Sequence, residues 1–323
     1  MTGQLPHDEL PAGRDQTGRV VIVTGAGKGL GAAFAKACAA RGARVVVSNR
    51  RRPGAADDAG RVVDEIRAAG GEAIAEYSDI AEPGAADAVV RAALNAWGRL
   101  DAVIANAGTS GPADKVRTAG MAGFRDVLET NFFANVALAQ AAIEPLIASG
   151  AGRFVFVSSS AGLYGVRGRA PYAASKGALN AFAQTLADEL RRDGIGVNIL
   201  APYAATRMTE EQGVDERGRV VLAPERVAAA AVWLSSAACS CSGEIWVSGA
   251  GRMRQARMME GQGARFHQDL PAADMDRLAG TLRSGEGMHG FAGAEAAFAD
   301  LMTERARDAE AARPDSSAES KHS

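Results

Sequence analysis

Histidine is scarce in this chain of 323 residues. His7, His267, His289 and His322 are the four present, so the whole stretch between positions 8 and 266 has none. If that stretch carries out a reaction, its acid–base group is not an imidazole. Cysteine is scarcer still. Cys38, Cys239 and Cys241 form no metal-ligand pattern, since the one-residue spacing of the last two does not fit a zinc knuckle. An odd, low cysteine count fits a reducing cytoplasm. Charge of one sign is lacking too. The net charge of −2 gives no basic excess that would attract nucleic acid or an anionic membrane. The first 18 residues are polar and have no apolar core segment, so they are not expected to be a signal peptide. No apolar stretch is expected to reach the length of a membrane span. What remains is a chain with 47% apolar residues, enough for the core of one large α/β domain plus a tail.

Strand-like and helix-like segments alternate after residue 18. Apolar β-branched runs at 19–24 and 43–48 read as buried strands, as do 72–77, 100–105, 152–158, 195–200 and 244–248. Helical segments are expected at 29–41, 55–69, 85–97, 170–192 and 224–236. A long helical region at 121–149 is expected to break near Pro145. Such alternation predicts a parallel sheet with helices on both faces. Residues 1–18 read as a disordered leader, 19–251 as the catalytic domain, 252–310 as a helical extension and 311–323 as a disordered tail. The polar segment 206–222 lies between a strand and a helix, where a lid over a site is expected.

Two motifs carry chemistry. The first strand runs into Thr24-Gly25-Ala26-Gly27-Lys28-Gly29-Leu30-Gly31, and an alanine-rich helix former follows. Strand, glycine turn and helix is the context in which a backbone approaches a pyrophosphate and a helix N-terminus faces it. The second motif is Tyr172 with Lys176. Residues four apart share a helix face. An ammonium beside a phenol favours the phenolate and draws its pKa down from about 10. One hydroxyl among Ser158, Ser159 and Ser160, at a strand end, could hold a substrate oxygen beside that phenol. Asp79 reads either as a helix N-cap or as a ligand contact.

With both motifs in order, the chain resembles the short-chain dehydrogenase/reductase family over roughly residues 17 to 250. The glycine turn at 24–31 is similar to the family's cofactor turn, and Asn106-Ala107-Gly108 to its NAG motif. Asn131, Ser159, Tyr172 and Lys176 stand where the family has its catalytic tetrad. The resemblance implies a doubly wound Rossmann fold and hydride transfer between a nicotinamide and a carbonyl or alcohol carbon. Tyr172 would exchange the proton and Ser159, favoured by spacing, would hold the oxygen. Lys176 would bind the nicotinamide ribose, and Asn131 would position a water. Gly25, Lys28, Gly29, Leu30, Gly31, Asn49, Arg50, Asp79, Ile80, Asn106, Ala107, Gly108 and Thr206 would line the cofactor, with Thr206 at the carboxamide and Asp79 at the adenine.

Asn49 occupies the position where NAD-dependent members carry an acidic residue, and Arg50-Arg51-Arg52 follow it. No carboxylate there repels a 2′-phosphate, guanidinium groups can bind one, and Lys28 adds charge. NADP(H) is therefore expected over NAD(H). The segments 201–209 and 243–251 are similar to the (3R)-hydroxyacyl-CoA dehydrogenase unit of peroxisomal multifunctional enzymes. The expected substrate is a small-molecule ketone or secondary alcohol, either a 3-hydroxyacyl thioester or a bulky polycyclic ketone. A non-catalytic nucleotide sensor on the same fold is the rival of another class, and a lyase or epimerase using the nicotinamide transiently is a third. The apolar segment 224–248, with Trp233 and Trp246, is where relatives assemble, so a homodimer or homotetramer is expected.

Overall fold

The computed structural model describes residues 15–204, 220–283, 285 and 287–311. Residues up to Ala256 belong to one compact unit and those from Arg257 onward to a second.

The first unit is built on an eight-stranded sheet. Its strands are β1 (Val20–Thr24), β2 (Arg44–Ser48), β3 (Glu72–Glu76), β4 (Ala102–Ala105), β5 (Arg153–Val157), β6 (Gly196–Tyr203), β7 (Ile245–Gly249) and β8 (Arg252–Ala256). They lie in the order 3-2-1-4-5-6-7-8. The first seven are parallel and β8 is antiparallel to β7. All five residues of β1 are buried. Val21 and Val23 enter the apolar layer on one face, and Val20 and Ile22 the layer on the other. A strand covered on both faces must be apolar at every position, not at alternate ones.

Helices α1 (Gly29–Ala40) and α2 (Asp58–Ala68) cover the first face, and α3 (Ala85–Trp97) covers the second. Next come α4 (Met121–Leu128), α5 (Ala134–Ala148), the one-turn α6 (Ala161–Tyr164), α7 (Ala170–Glu189) and α8 (Glu225–Ser235). Between α4 and α5 the chain passes through a π turn, Glu129–Phe133. Pro145 lies inside α5 and does not interrupt it. The expected break in this region therefore sits at the π turn, more than two helical turns earlier. By length and composition the stretch Met121–Ala148 could cross a membrane, with a mean hydropathy of 1.2, contrary to the expectation from sequence. Here its apolar side lies on the sheet, with Leu138, Ala142 and Leu146 fully buried.

The strand β8 is absent from the sequence reading. It forms through a two-residue hairpin, because Gly249 pairs with Arg252 and only Ala250 and Gly251 intervene. Both have positive φ, 52° and 70°, the requirement of the tight turn that matches strand twist. Asn-Gly is the usual sequence for it, and Ala-Gly gives no such signal.

The second unit has α9 (Ala272–Leu282) and α10 (Ala294–Ala311), and Glu260, ahead of α9, pairs with His289, which lies between the two helices. His289 Nε2 lies 3.2 Å from Asp300 Oδ2.

Candidate active site

The carboxyl ends of β1, β4 and β5 meet at the point where strand order reverses, the usual crevice for a ligand in an open parallel sheet. Thr24, the last residue of β1, braces that crevice. Its Oγ1 accepts hydrogen bonds from the main-chain N–H of Asn106 and of Ala107, both at 3.0 Å. Asn106 Nδ2 returns a bond to Thr24 O at 2.9 Å. The glycine turn and the Asn106-Ala107-Gly108 loop are thus one hydrogen-bonded unit. Gly25 has φ +63°, and a Cβ there would meet Ala107 Cα at 2.9 Å. A Cβ on Gly31 would lie 2.3 Å from Gly25 O. Gly29, at φ +54°, faces open space, as a backbone that receives a ligand should. Leu30 packs on the core behind this turn.

Sequence reasoning gave no individual role to three residues in and beside this turn. Thr24 is one. Gly27 is another, since a Cβ there would meet Asn49 Cγ at 2.7 Å. The third is Arg61 on α2, whose Nη2 donates to Gly27 O at 2.9 Å. The only signal for Gly27 was its place between the motif glycines, and Arg61 gave none.

At the ends of β2 and β3 the charges are paired. Lys28 Nζ lies 3.0 Å from Asp58 Oδ2, and Arg50 Nη1 lies 2.8 Å from Asp79 Oδ2. Arg51 stacks over the Tyr77 ring at 5.7 Å and approaches Asp57 at 3.5 Å. Asn49 is half-buried beside Gly27 and donates to Arg50 O. Asp79 also accepts from Ala81 N, so both readings of it, turn cap and site residue, are compatible with its place. Ile80 packs against the core on the side of α3.

The chemistry-bearing side chains gather around the N-terminal turns of α7. Lys176 is buried, and its Nζ donates to Val157 O, the last carbonyl of β5, at 2.7 Å. Burial pulls its pKa down to about 8. The same ammonium lies 5.9 Å from the centre of the Tyr172 ring. Of the three serines, Ser159 is the one whose hydroxyl acts on the Tyr172 phenol, opposing the rise of its pKa, and its Oγ accepts from Ala161 N at 3.1 Å. Ser158 is buried and turned toward Lys176 O at 3.4 Å. Within the protein itself the Tyr172 pKa is raised, because burial outweighs the Ser159 hydrogen bond and the positive field of Arg169. The lowering expected from Lys176 alone is therefore not what burial and neighbours produce here.

Asn131 sits in the middle of the π turn and is fully buried. Its Oδ1 accepts from Thr109 N at 2.8 Å, and its Nδ2 donates to Thr109 O at 2.9 Å and to Ser175 Oγ at 3.0 Å. It locks the loop after β4 to helix α7, the element that carries Tyr172 and Lys176. A Cβ on Gly108 would meet Asn131 Oδ1 at 3.1 Å and Lys176 Nζ at 3.6 Å, so the tetrad side and the cofactor loop touch there. The displaced hydrogen-bond register of a π turn is a common device for placing a side chain at a functional site. Thr206 lies outside the described residues, as does most of the segment read as a lid.

A family profile, short chain dehydrogenase, matches residues 19–217. The chain belongs to the short-chain dehydrogenases. Among its relatives, the peroxisomal multifunctional enzyme type 2 of Drosophila melanogaster is 36% identical over 258 residues, 78% of this chain and 42% of that protein. The 3-oxoacyl-[acyl-carrier-protein] reductase of a Synechocystis strain is 35% identical over 195 residues, 60% of this chain and 77% of that one. A crystal structure of a short chain dehydrogenase from Mycobacterium avium superimposes with a TM-score of 0.73 at 32% identity, covering 84% of this chain and 96% of the other. The chain thus spans well under half the length of the multifunctional relative. Membership makes this chain an oxidoreductase of a family that works with a nicotinamide cofactor. The residues present fit such a cofactor: an open-faced Gly29, a close-packed Gly25 and Gly31, and the start of α1 behind them.

Proposed function

We propose that this short-chain dehydrogenase uses NADP(H) and acts on a 3-oxoacyl or 3-hydroxyacyl thioester. The bound nicotinamide supplies or accepts the hydride. The chain's own residues do the rest. Tyr172 gives a proton to the substrate oxygen, or takes it back, and Ser159 holds that oxygen in line by hydrogen bond. Lys176 brings a positive charge beneath the Tyr172 ring and hydrogen-bond donors toward a ribose. Asn131 keeps α7 in register with the loop after β4.

The observation that carries the reading is the gathering of Ser159, Tyr172 and Lys176, with the Ser159 hydroxyl acting on the Tyr172 phenol and Lys176 Nζ 5.9 Å from the centre of the same ring. Preference for the phosphorylated cofactor rests on Asn49, which presents no carboxylate, and on Lys28, Arg50 and Arg51 around it. In β3, the carboxylate in register with Ser48 is that of Glu76. Ser48 Oγ holds it at 2.9 Å and Ser78 N at 2.8 Å, so it is already engaged. The thioester reading rests on the named activity of the cyanobacterial relative and on the likeness to the multifunctional enzymes. A bulky cyclic ketone is the second substrate class. Tetrad positions all filled favour an enzyme over a nucleotide sensor.

Assembly as a homodimer or homotetramer is supported by the face of α8 and β7, where Trp233 and Trp246 stack edge to face at 5.3 Å and stay partly exposed. Three free thiols fit a reducing compartment such as the cytoplasm. A panel of 3-oxoacyl thioesters and cyclic ketones, each with NADPH and with NADH, tests the reading by loss of nicotinamide absorbance. Thioester turnover that is faster with NADPH is expected. Turnover of cyclic ketones alone, or faster turnover with NADH, overturns it.

A further inference from the structure

At the amino ends of the strands, away from Tyr172, the loop between α8 and β7 brings two thiols together. Cys239 Sγ and Cys241 Sγ are 3.3 Å apart, with one residue between them in the chain. The sulfurs of a disulfide stand about 2.0 Å apart, so a small approach closes the bond. The loop is held on several sides. Arg153 Nε donates to Cys239 O at 3.1 Å and its Nη2 to Ala237 O at 3.1 Å. Asn198 Nδ2 donates to Cys241 O at 2.8 Å. Ser242 Oγ accepts from Val197 N, and Gly243 N donates to Val197 O. Cys239 is buried and Cys241 is partly exposed. One sulfur can therefore meet a reagent while the other waits behind it.

The protonation of the pair suits that division. The contact with Cys241 holds the Cys239 thiol below its ordinary range, and the same contact pushes the Cys241 thiol above it. The pair gives up a first proton readily and shares the second. Cys38 lies far along the chain from this pair, and burial pushes its thiol up to about 12.

We propose that Cys239 and Cys241 form a reversible dithiol/disulfide site that exchanges with low-molecular-weight disulfides of the glutathione class. With Cys239 already the thiolate, its proton given to solvent, the proton of Cys241 passes to Cys239 as the Cys241 sulfur attacks one sulfur of the small disulfide. A mixed disulfide forms on Cys241 and one small thiolate leaves. Cys239 then attacks the Cys241 sulfur, a bond forms between the two cysteines, and the second small thiolate leaves. The two protons of the protein thiols end on the two small thiols, one of them by way of solvent, so one disulfide is reduced as one is made. A one-residue spacer closes a small ring, and strain of that kind keeps the bond easy to reduce.

The full chain is incubated in glutathione buffers of rising disulfide fraction, quenched in acid, unfolded and alkylated, and its peptides are weighed. Cys239 and Cys241 are expected to escape alkylation together, their peptide losing two hydrogen atoms, while Cys38 is alkylated at every ratio. Dithiothreitol restores both thiols. Cys239→Ser traps the mixed disulfide on Cys241, and Cys241→Ser slows the reaction by about tenfold or more, because only the buried sulfur remains. The proposal is overturned if both thiols stay alkylatable at every ratio, if the wild type stops at the mixed disulfide, or if Cys38 exchanges as fast.

Discussion

Arg50 and Asp79 form an ion pair at 2.8 Å across the ends of β2 and β3. The proposed roles of these residues pull in opposite directions, since one would hold a 2′-phosphate and the other an adenine. A phosphate at Arg50 has to share the guanidinium with Asp79. Charge-assisted hydrogen bonds contribute about 1.5–3 kcal/mol. Arg50→Ala is accordingly expected to weaken NADPH by about tenfold or more and NADH far less. Asp79→Asn frees the guanidinium and is expected to shift the NADPH/NADH affinity ratio upward. Fluorescence titration of both cofactors checks this, and equal changes for the two would remove Arg50 from the phosphate site.

Lys176 carries a cost that function imposes on stability. Burial lowers its pKa from 10.5 to about 8, which corresponds to about 3 kcal/mol against the folded state while the group is charged in both states. Lys176→Met is expected to unfold at higher urea than the wild type at pH 7, by about 1–2 kcal/mol once the bond to Val157 O is lost. The sign follows from proton counts. Between about pH 8 and 10.5 the unfolded chain still binds a proton on Lys176 and the folded chain does not. Wild-type stability therefore rises through that window by about 3 kcal/mol relative to the variant, so the gap of about 1–2 kcal/mol closes within the window and reverses above it. A gap that stays constant from pH 7 to 10 contradicts this account. The variant is also expected to lose turnover.

Ala250 is the one non-glycine residue with positive φ among the described residues. The left-handed region costs an alanine about 1–2 kcal/mol, and asparagine tolerates it better. Ala250→Asn is expected to raise stability by up to about 1 kcal/mol, read as a higher denaturation midpoint with turnover unchanged. A fall in midpoint would mean that the hairpin joining β7 to β8 is not the tight turn described.

These residues also show where the sequence was readable. The strands β1, β2, β4, β5 and β6 were legible because they are buried on both faces and so read as apolar runs, whereas β3 and β7, only partly buried, were legible from their place in the alternation of strands and helices. The tetrad positions were legible through spacing within one helix and one strand end. Asn131 was placed by resemblance, but its π turn was not, because a shift in helical hydrogen-bond register leaves apolar periodicity unchanged. The expected break went to Pro145 instead, the one proline in the region. Pairings across 29 or more positions, such as Arg50 with Asp79 or Arg61 with Gly27, depend on which strands become neighbours and have no local signal. Ionisation was misjudged for the same reason. Four-residue spacing puts Lys176 near Tyr172, but how deeply both are buried is a property of the packed domain.

The central claim is that the Tyr172 phenol transfers the proton in a nicotinamide-dependent interconversion of ketone and alcohol. Tyr172→Phe keeps the ring and removes the transferable proton. Its kcat with the best ketone and NADPH, followed at the nicotinamide absorbance band, is expected to fall by roughly 10²–10⁴-fold, while NADPH binds with unchanged affinity. Turnover within a factor of about two of the wild type would contradict the account, since general acid–base catalysis by this group would then contribute almost nothing.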